Sequence, residues 1–190
     1  MLTPIPFYRS SRETFTTAYR FPSANASVFS FEYPWSNPTN AYADDANTAT
    51  SGSQSWANGE RTDRHQWTGF GFTTGDVPSG ATITGVDFEA EFVITGGTFR
   101  IFMYAETSSG STGGNIVNLA PGTHVVAPSD FGTTPEALWG VLEAGYGVDD
   151  TDVRNAGYGW AFFVREQEAS NPFTGEVELN YVKSRILGEI

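Results

Sequence analysis

Asp87, Glu89 and Glu91 stand at alternate positions in Ile-Thr-Gly-Val-Asp-Phe-Glu-Ala-Glu-Phe-Val, residues 83–93. On an extended chain such side chains share one face, with neighbours roughly 7 Å apart. That is close to the separations at which paired carboxyls cleave glycosidic bonds, one as acid and the other as nucleophile or base. The same alternation has an architectural meaning. Phe88, Ala90, Phe92 and Ile94 occupy the opposite side, which makes an antiparallel strand with one dry face and one hydrated, acidic face. Like charges on such a face also discourage stray edge pairing. The architectural reading is the one taken forward, with Glu89 and Glu91 kept as the residues a glycosidase would use.

Other groups that could do chemistry are fewer. Asp149, Asp150 and Asp152 supply hard oxygen donors of the kind Ca²⁺ takes. No glycine turn and terminal Glu complete a calcium loop around them, so a turn in which Asp150 or Thr151 caps one helical turn is expected, and no metal or cofactor is assigned. Asp44-Asp45 is a lesser pair of the same sort. His65 and His124 are the only histidines, and no Gly-x-Ser-x-Gly elbow accompanies them. Gly69 to Gly75 misses the dinucleotide-loop spacing by one residue. Trp160 alternates with Phe162 and Val164 and belongs to a core. Trp56 lies in the polar stretch from Ser51 to Gly59, so it is the aromatic expected to face solvent and the candidate for stacking on a sugar.

Ten basic against 22 acidic residues give a net charge of −12. Nucleic acid and anionic membranes both need a positive footprint, so neither is an expected partner. No apolar run reaches the ~20 residues that span a bilayer. The opening residues lack the basic-then-apolar order of a signal peptide. The absence of cysteine removes disulfides and thiolate metal sites.

The elements that must position these groups are short and extended. Strands are expected at 27–33, 67–72, 83–94, 99–104, 117–119, 124–127, 158–164 and 177–181, separated by Gly, Asn, Asp and Ser turns. The stretch 99–104 is largely apolar on both sides, as a central strand would be, and 107–114 is read as a loop. One helix is predicted: Thr133 or Thr134 caps it, Pro135 and Glu136 open it, and Gly140 and Gly145 keep it short. Residues 1–25 differ, with Arg9, Arg12 and Arg20 against Glu13 and three prolines. They are expected to form an extended arm whose Phe7, Tyr8, Arg9 and Arg12 touch neighbouring subunits. The fold expected is all-β: an antiparallel β-sandwich of jelly-roll type over 26–190, with one short helix and an N-terminal arm.

Three blocks add a resemblance. Trp35-Ser-Asn-Pro-Thr-Asn-Ala-Tyr-Ala-Asp-Asp45 is followed by Trp67-Thr-Gly-Phe-Gly-Phe72 and Val77-Pro-Ser-Gly-Ala-Thr-Ile-Thr-Gly-Val86. Leu138-Trp-Gly140 and Val177-Glu-Leu-Asn-Tyr181 close the series. In that order they resemble a family of tailed-bacteriophage virion structural domains. By contrast, Asp-x-Glu-x-Glu lacks the leading Glu of the Glu-x-Asp-x-x-Glu pattern in laminarinase-like jelly-roll glycosidases. The phage resemblance implies a β-sandwich without catalytic residues, located in the virion. Its work would be to decorate the capsid or anchor a head fibre by binding other virion proteins, as a homo-oligomer such as a trimer. A tail accessory or adsorption protein, or a carbohydrate-binding module using Trp56, is the alternative.

Overall fold

The acidic ribbon is a single strand, Thr82–Thr95, with Phe88, Ala90 and Phe92 fully buried on its inner side. The computed structural model, which describes residues 12–167 and 172–190, places this strand at the centre of one of two stacked antiparallel sheets. In chain order the strands are β1 (Thr14–Thr16), β2 (Ala24–Phe29), β3 (Ala49–Thr50), β4 (Gln54–Trp56), β5 (Arg64–Thr68) and β6 (Thr82–Thr95). They continue as β7 (Phe99–Glu106), β8 (Ser111–Leu119), β9 (Gly122–Val126), β10 (Gly159–Glu166) and β11 (Phe173–Glu189). Two helices, α1 (Pro135–Tyr146) and α2 (Asp150–Arg154), lie between β9 and β10.

The first sheet runs β1-β11-β6-β9, with β3 and β4 also pairing with β11, and the second runs β2-β5-β10-β7-β8. With β2, β3 and β4 set aside, the remaining eight strands wind in the order 1-8-3-6 and 2-7-4-5. That is the jelly-roll order. The core forms where the inner faces meet: Phe88 packs 4.6 Å from Trp160, and Phe92 sits edge-on to Phe162 at 5.5 Å. Burying side chains of this size supplies roughly 2–3 kcal/mol each.

β11 shows how the sequence steers its neighbours. Leu179 pairs with Phe92 and Tyr181 with Glu91, so Asn180 is an extra residue, a β-bulge. Before it Val177 and Leu179 face the core; after it Val182, Ser184 and Ile186 do. The bulge therefore turns Tyr181, Lys183 and Arg185 outward, beside the acids of β6. The expected strand at 177–181 is the middle of this 17-residue ribbon, whose continuation past Tyr181 breaks simple alternation.

Part of the expected arm is sheet. Thr14–Thr16 pairs with Leu187 to Glu189, and Arg20 bridges Ser184. The long edge of β11 needs a partner, and Thr17 Oγ1 accepts the Ile186 N–H at 3.0 Å. The expected strand at 67–72 stops at Thr68 because Gly69 and Gly71 both take positive φ, at 71° and 67°. Phe70 and Phe72 then tuck against Tyr158. The expected loop at 107–114 is half strand, since β8 begins at Ser111. α1 starts as predicted, with Thr134 Oγ1 accepting the Ala137 N–H at 3.2 Å. It runs through Gly140 and Gly145 to Tyr146, because burial of Leu138, Trp139 and Leu142 outweighs about 1 kcal/mol per glycine.

Candidate interaction surface

The outer face of the first sheet holds the three carboxylates, and each is engaged. Asp87 Oδ2 accepts the Arg185 Nε–H at 2.8 Å and the Tyr19 hydroxyl at 3.1 Å. Glu89 Oε1 accepts the Tyr181 hydroxyl at 2.7 Å and lies 2.5 Å from Lys183 Nζ. Glu91 Oε1 accepts the Asn180 amide at 2.8 Å. Lys183 is shared between the rings of Tyr19 and Tyr181, 5.0 Å from each centroid, and Arg185 lies 4.6 Å from Tyr19. The acids are thus a cross-strand ladder rather than a hydrated face, and Asp87 is only 6% exposed.

The titration of this ladder follows from its packing. Burial, then Asp87, pushes the Tyr19 hydroxyl up to about 12. Burial and the bond to Glu89 raise Tyr181 likewise. Burial also pulls Glu89 upward, but the bonds from Lys183 and Tyr181 outweigh it and hold the carboxyl below its ordinary value. A general acid needs the opposite shift.

The remaining sequence candidates fall into structural roles. Asp149, not Asp150 or Thr151, caps α2: its Oδ1 accepts the Thr151 N–H at 2.7 Å, and Asp152 Oδ2 accepts the Asp149 N–H at 2.9 Å. Asp150 pairs with Arg154 at 2.6 Å and accepts the Gly80 N–H. Among the described residues, no group of three or more His, Cys, Asp or Glu converges as metal ligands would. His65 is buried with Nε2 2.8 Å from Asn25 Oδ1; desolvation draws it down to about 4, against the pull of Asp63. His124 lies elsewhere, on β9, with Nε2 2.8 Å from the Ala120 carbonyl.

Trp56 corrects an expectation. It is fully buried, donates Nε1–H to the Gly175 carbonyl at 3.0 Å and packs between Tyr33 and Phe99. Pairing of β4 with the start of β11 turns the indole inward, so it offers no platform to a sugar. Trp35 is buried as well, edge-on to Trp67 at 5.7 Å. Arg12 is exposed and lies 3.6 Å from Glu189, across the β1–β11 pair. Phe7, Tyr8 and Arg9 lie outside the described residues.

The outer face of the second sheet is of another kind. Phe163 of β10 is stacked on Phe102 of β7 at 4.2 Å and flanked by Tyr104 and Phe31 at 6.2 and 6.1 Å. Arg61 lies 4.1 Å from the Phe31 centroid; Arg64 lies 3.8 Å from that of Tyr104 and pairs with Glu106. Around this cluster Phe29 and Ile116 are 56% and 41% exposed. Register sets Arg61 opposite Arg165 and Arg165 opposite Arg100, a row of three arginines across three adjacent segments. Among the described residues none of the three has an ion-pair partner. Arg100 makes a long 3.5 Å contact to Asn118, and Glu32 accepts the backbone N–H of Arg61 rather than its guanidinium.

Sequence reasoning missed this face. The signal was Arg100, Phe102 and Tyr104 alternating with Phe99, Ile101 and Met103, which reads as a strand buried on both sides. Aromatic and arginine side chains are the types enriched where proteins bind one another. No protein-family model and no curated protein matches the chain.

Proposed function

We propose that this chain is a non-enzymatic structural protein of a tailed-phage virion, which decorates the capsid or anchors a fibre by docking on neighbouring virion proteins. The sequence blocks supply the virion assignment. The observation that carries the docking role is the aromatic–arginine outer face of the second sheet, built across β5, β10, β7 and β8. Such a face presents wide, rigid contact area and directional cations, the ingredients of a protein interface. Glu89 and Glu91, the carboxylates that a glycosidase would use, are tied to Lys183 and Asn180, which supports binding over cleavage. On a symmetric shell, many weak contacts of this kind add up to firm attachment.

The test is to purify virions from the lysate in which the chain is made and to locate it by quantitative mass spectrometry and immunogold labelling. A fixed stoichiometry to the major capsid protein, with label on the particle surface, is expected. Complete loss of the chain on gradient purification of intact particles would overturn the reading.

A further inference from the structure

The row Arg61–Arg165–Arg100 is costly to keep. Like charges directly opposite one another across strands destabilise a sheet. The chain carries 22 acidic residues against 10 basic ones, yet among the described residues no carboxylate has been brought to these guanidiniums. The neighbouring Arg64 does have one, in Glu106. The Nε of Arg61 is also buried without a hydrogen-bond partner. Adjacent strands lie about 4.8 Å apart, so the row places three cations across roughly 10 Å beside exposed Phe29 and Ile116.

We infer that this row is a recognition site for carboxylates of a different protein chain, an acidic strand or helix laid across the second sheet with an apolar side chain against the aromatic cluster. Guanidinium forks match carboxylates bidentately, and their weaker hydration makes an interface position affordable. A symmetric pairing of this face with its own copy would bring two arginine rows together, so an isologous dimer is disfavoured by its charge. Nucleic acid shares the taste for arginine and aromatic groups, but a body of net charge −12 repels a long polyanion. An acidic protein segment is short enough to sit on the row alone. The inference rests on reading this face as the docking surface and does not require the virion assignment.

The probe is a fluorescein-labelled poly-L-glutamate peptide, followed by anisotropy on the full chain at low and physiological salt. Parallel titrations use a single-stranded oligonucleotide and hyaluronate. Saturable binding that weakens with salt is expected, falling roughly 10- to 100-fold in the triple variant Arg61→Gln, Arg100→Gln, Arg165→Gln. Arg20→Gln, beside β11 of the other sheet, is expected to bind as the parent does. Unchanged melting of the triple variant shows that the loss is not unfolding.

No binding of polyglutamate would overturn the inference, as would equal loss in Arg20→Gln. Tighter binding of the oligonucleotide or hyaluronate, lost in the triple variant, would assign the face to that polymer instead. Salt-sensitive self-association in sedimentation, abolished by the triple variant, would assign it to a second copy. Failure here with the chain firmly present on virions would leave the virion reading standing, and the converse result would leave this one standing.

Discussion

The two sheets turn opposite solutions of the same problem outward. On the first, each acid of β6 meets a partner from β11 or the segment before β2: Lys183 and Arg185 offset Glu89 and Asp87, and the Asn180 amide donates to Glu91. On the second, aromatic rings and arginines are gathered, and three of the cations are left uncancelled among the described residues. The first face spends its polar groups on holding β11 in register. The second leaves three arginines uncancelled among the described residues, and that difference is what the docking proposal builds on.

The most severe way to break this contrast is to delete Lys183. Deleting Asn180 only removes the extra residue and leaves Leu179 and Val182 inward and Tyr181 outward, whereas deleting Lys183 turns Ser184 and Ile186 to solvent and Arg185 toward the core. Loss of cooperative folding by circular dichroism and of soluble yield is expected for the Lys183 deletion; a native melting curve would disprove the role given to the register of β11.

Acid comes next. His65 titrates near 4 in the fold against an ordinary 6.5, because it is buried. As pH falls, the unfolded chain therefore takes up a proton first. This contribution is whole above about pH 6.5 and drains away down to about pH 4, by about 3 kcal/mol at most. Urea midpoints between pH 7 and pH 4 should fall more steeply for the parent than for His65→Gln. Equal slopes would remove His65 as the cause.

A smaller effect separates the faces directly. Asp87→Ala strips Arg185 and Tyr19 of their acceptor and should cost about 2 kcal/mol, within the range for hydrogen bonds to a charged group. The triple arginine variant should change stability by no more than about 0.5 kcal/mol, in either direction, as for surface changes that break no pair. Denaturant titrations of both would settle the matter. If the arginine variant proves the more damaging, the second face is a structural device and the contrast fails.

Much of the first sheet was legible in advance, because Phe88, Ala90 and Phe92 alternate cleanly with Asp87, Glu89 and Glu91. The start of α1 was legible through Thr134 and Pro135. The outward half of β11 was not, since its apolar positions shift from odd (Val177, Leu179) to even (Val182, Ile186) at Asn180. That shift of parity is visible in the sequence and reads there as the end of a strand. The arginine row was hidden for a deeper reason. Arg61, Arg100 and Arg165 are far apart along the chain and meet only through the register of strands that are themselves remote. Trp56 misled because its polar neighbours face solvent while β4 turns the indole inward.

The pairing of Glu13 with Ile190, each accepting the other's backbone N–H, bears on how the molecule could be used. Both lie at the β1–β11 margin, in the layer opposite the aromatic–arginine face. A reporter or cargo domain spliced on after Ile190 would leave that face unobstructed. With a partner docked on the arginines, as proposed, such a passenger would ride on the far layer, a natural mount for outward display.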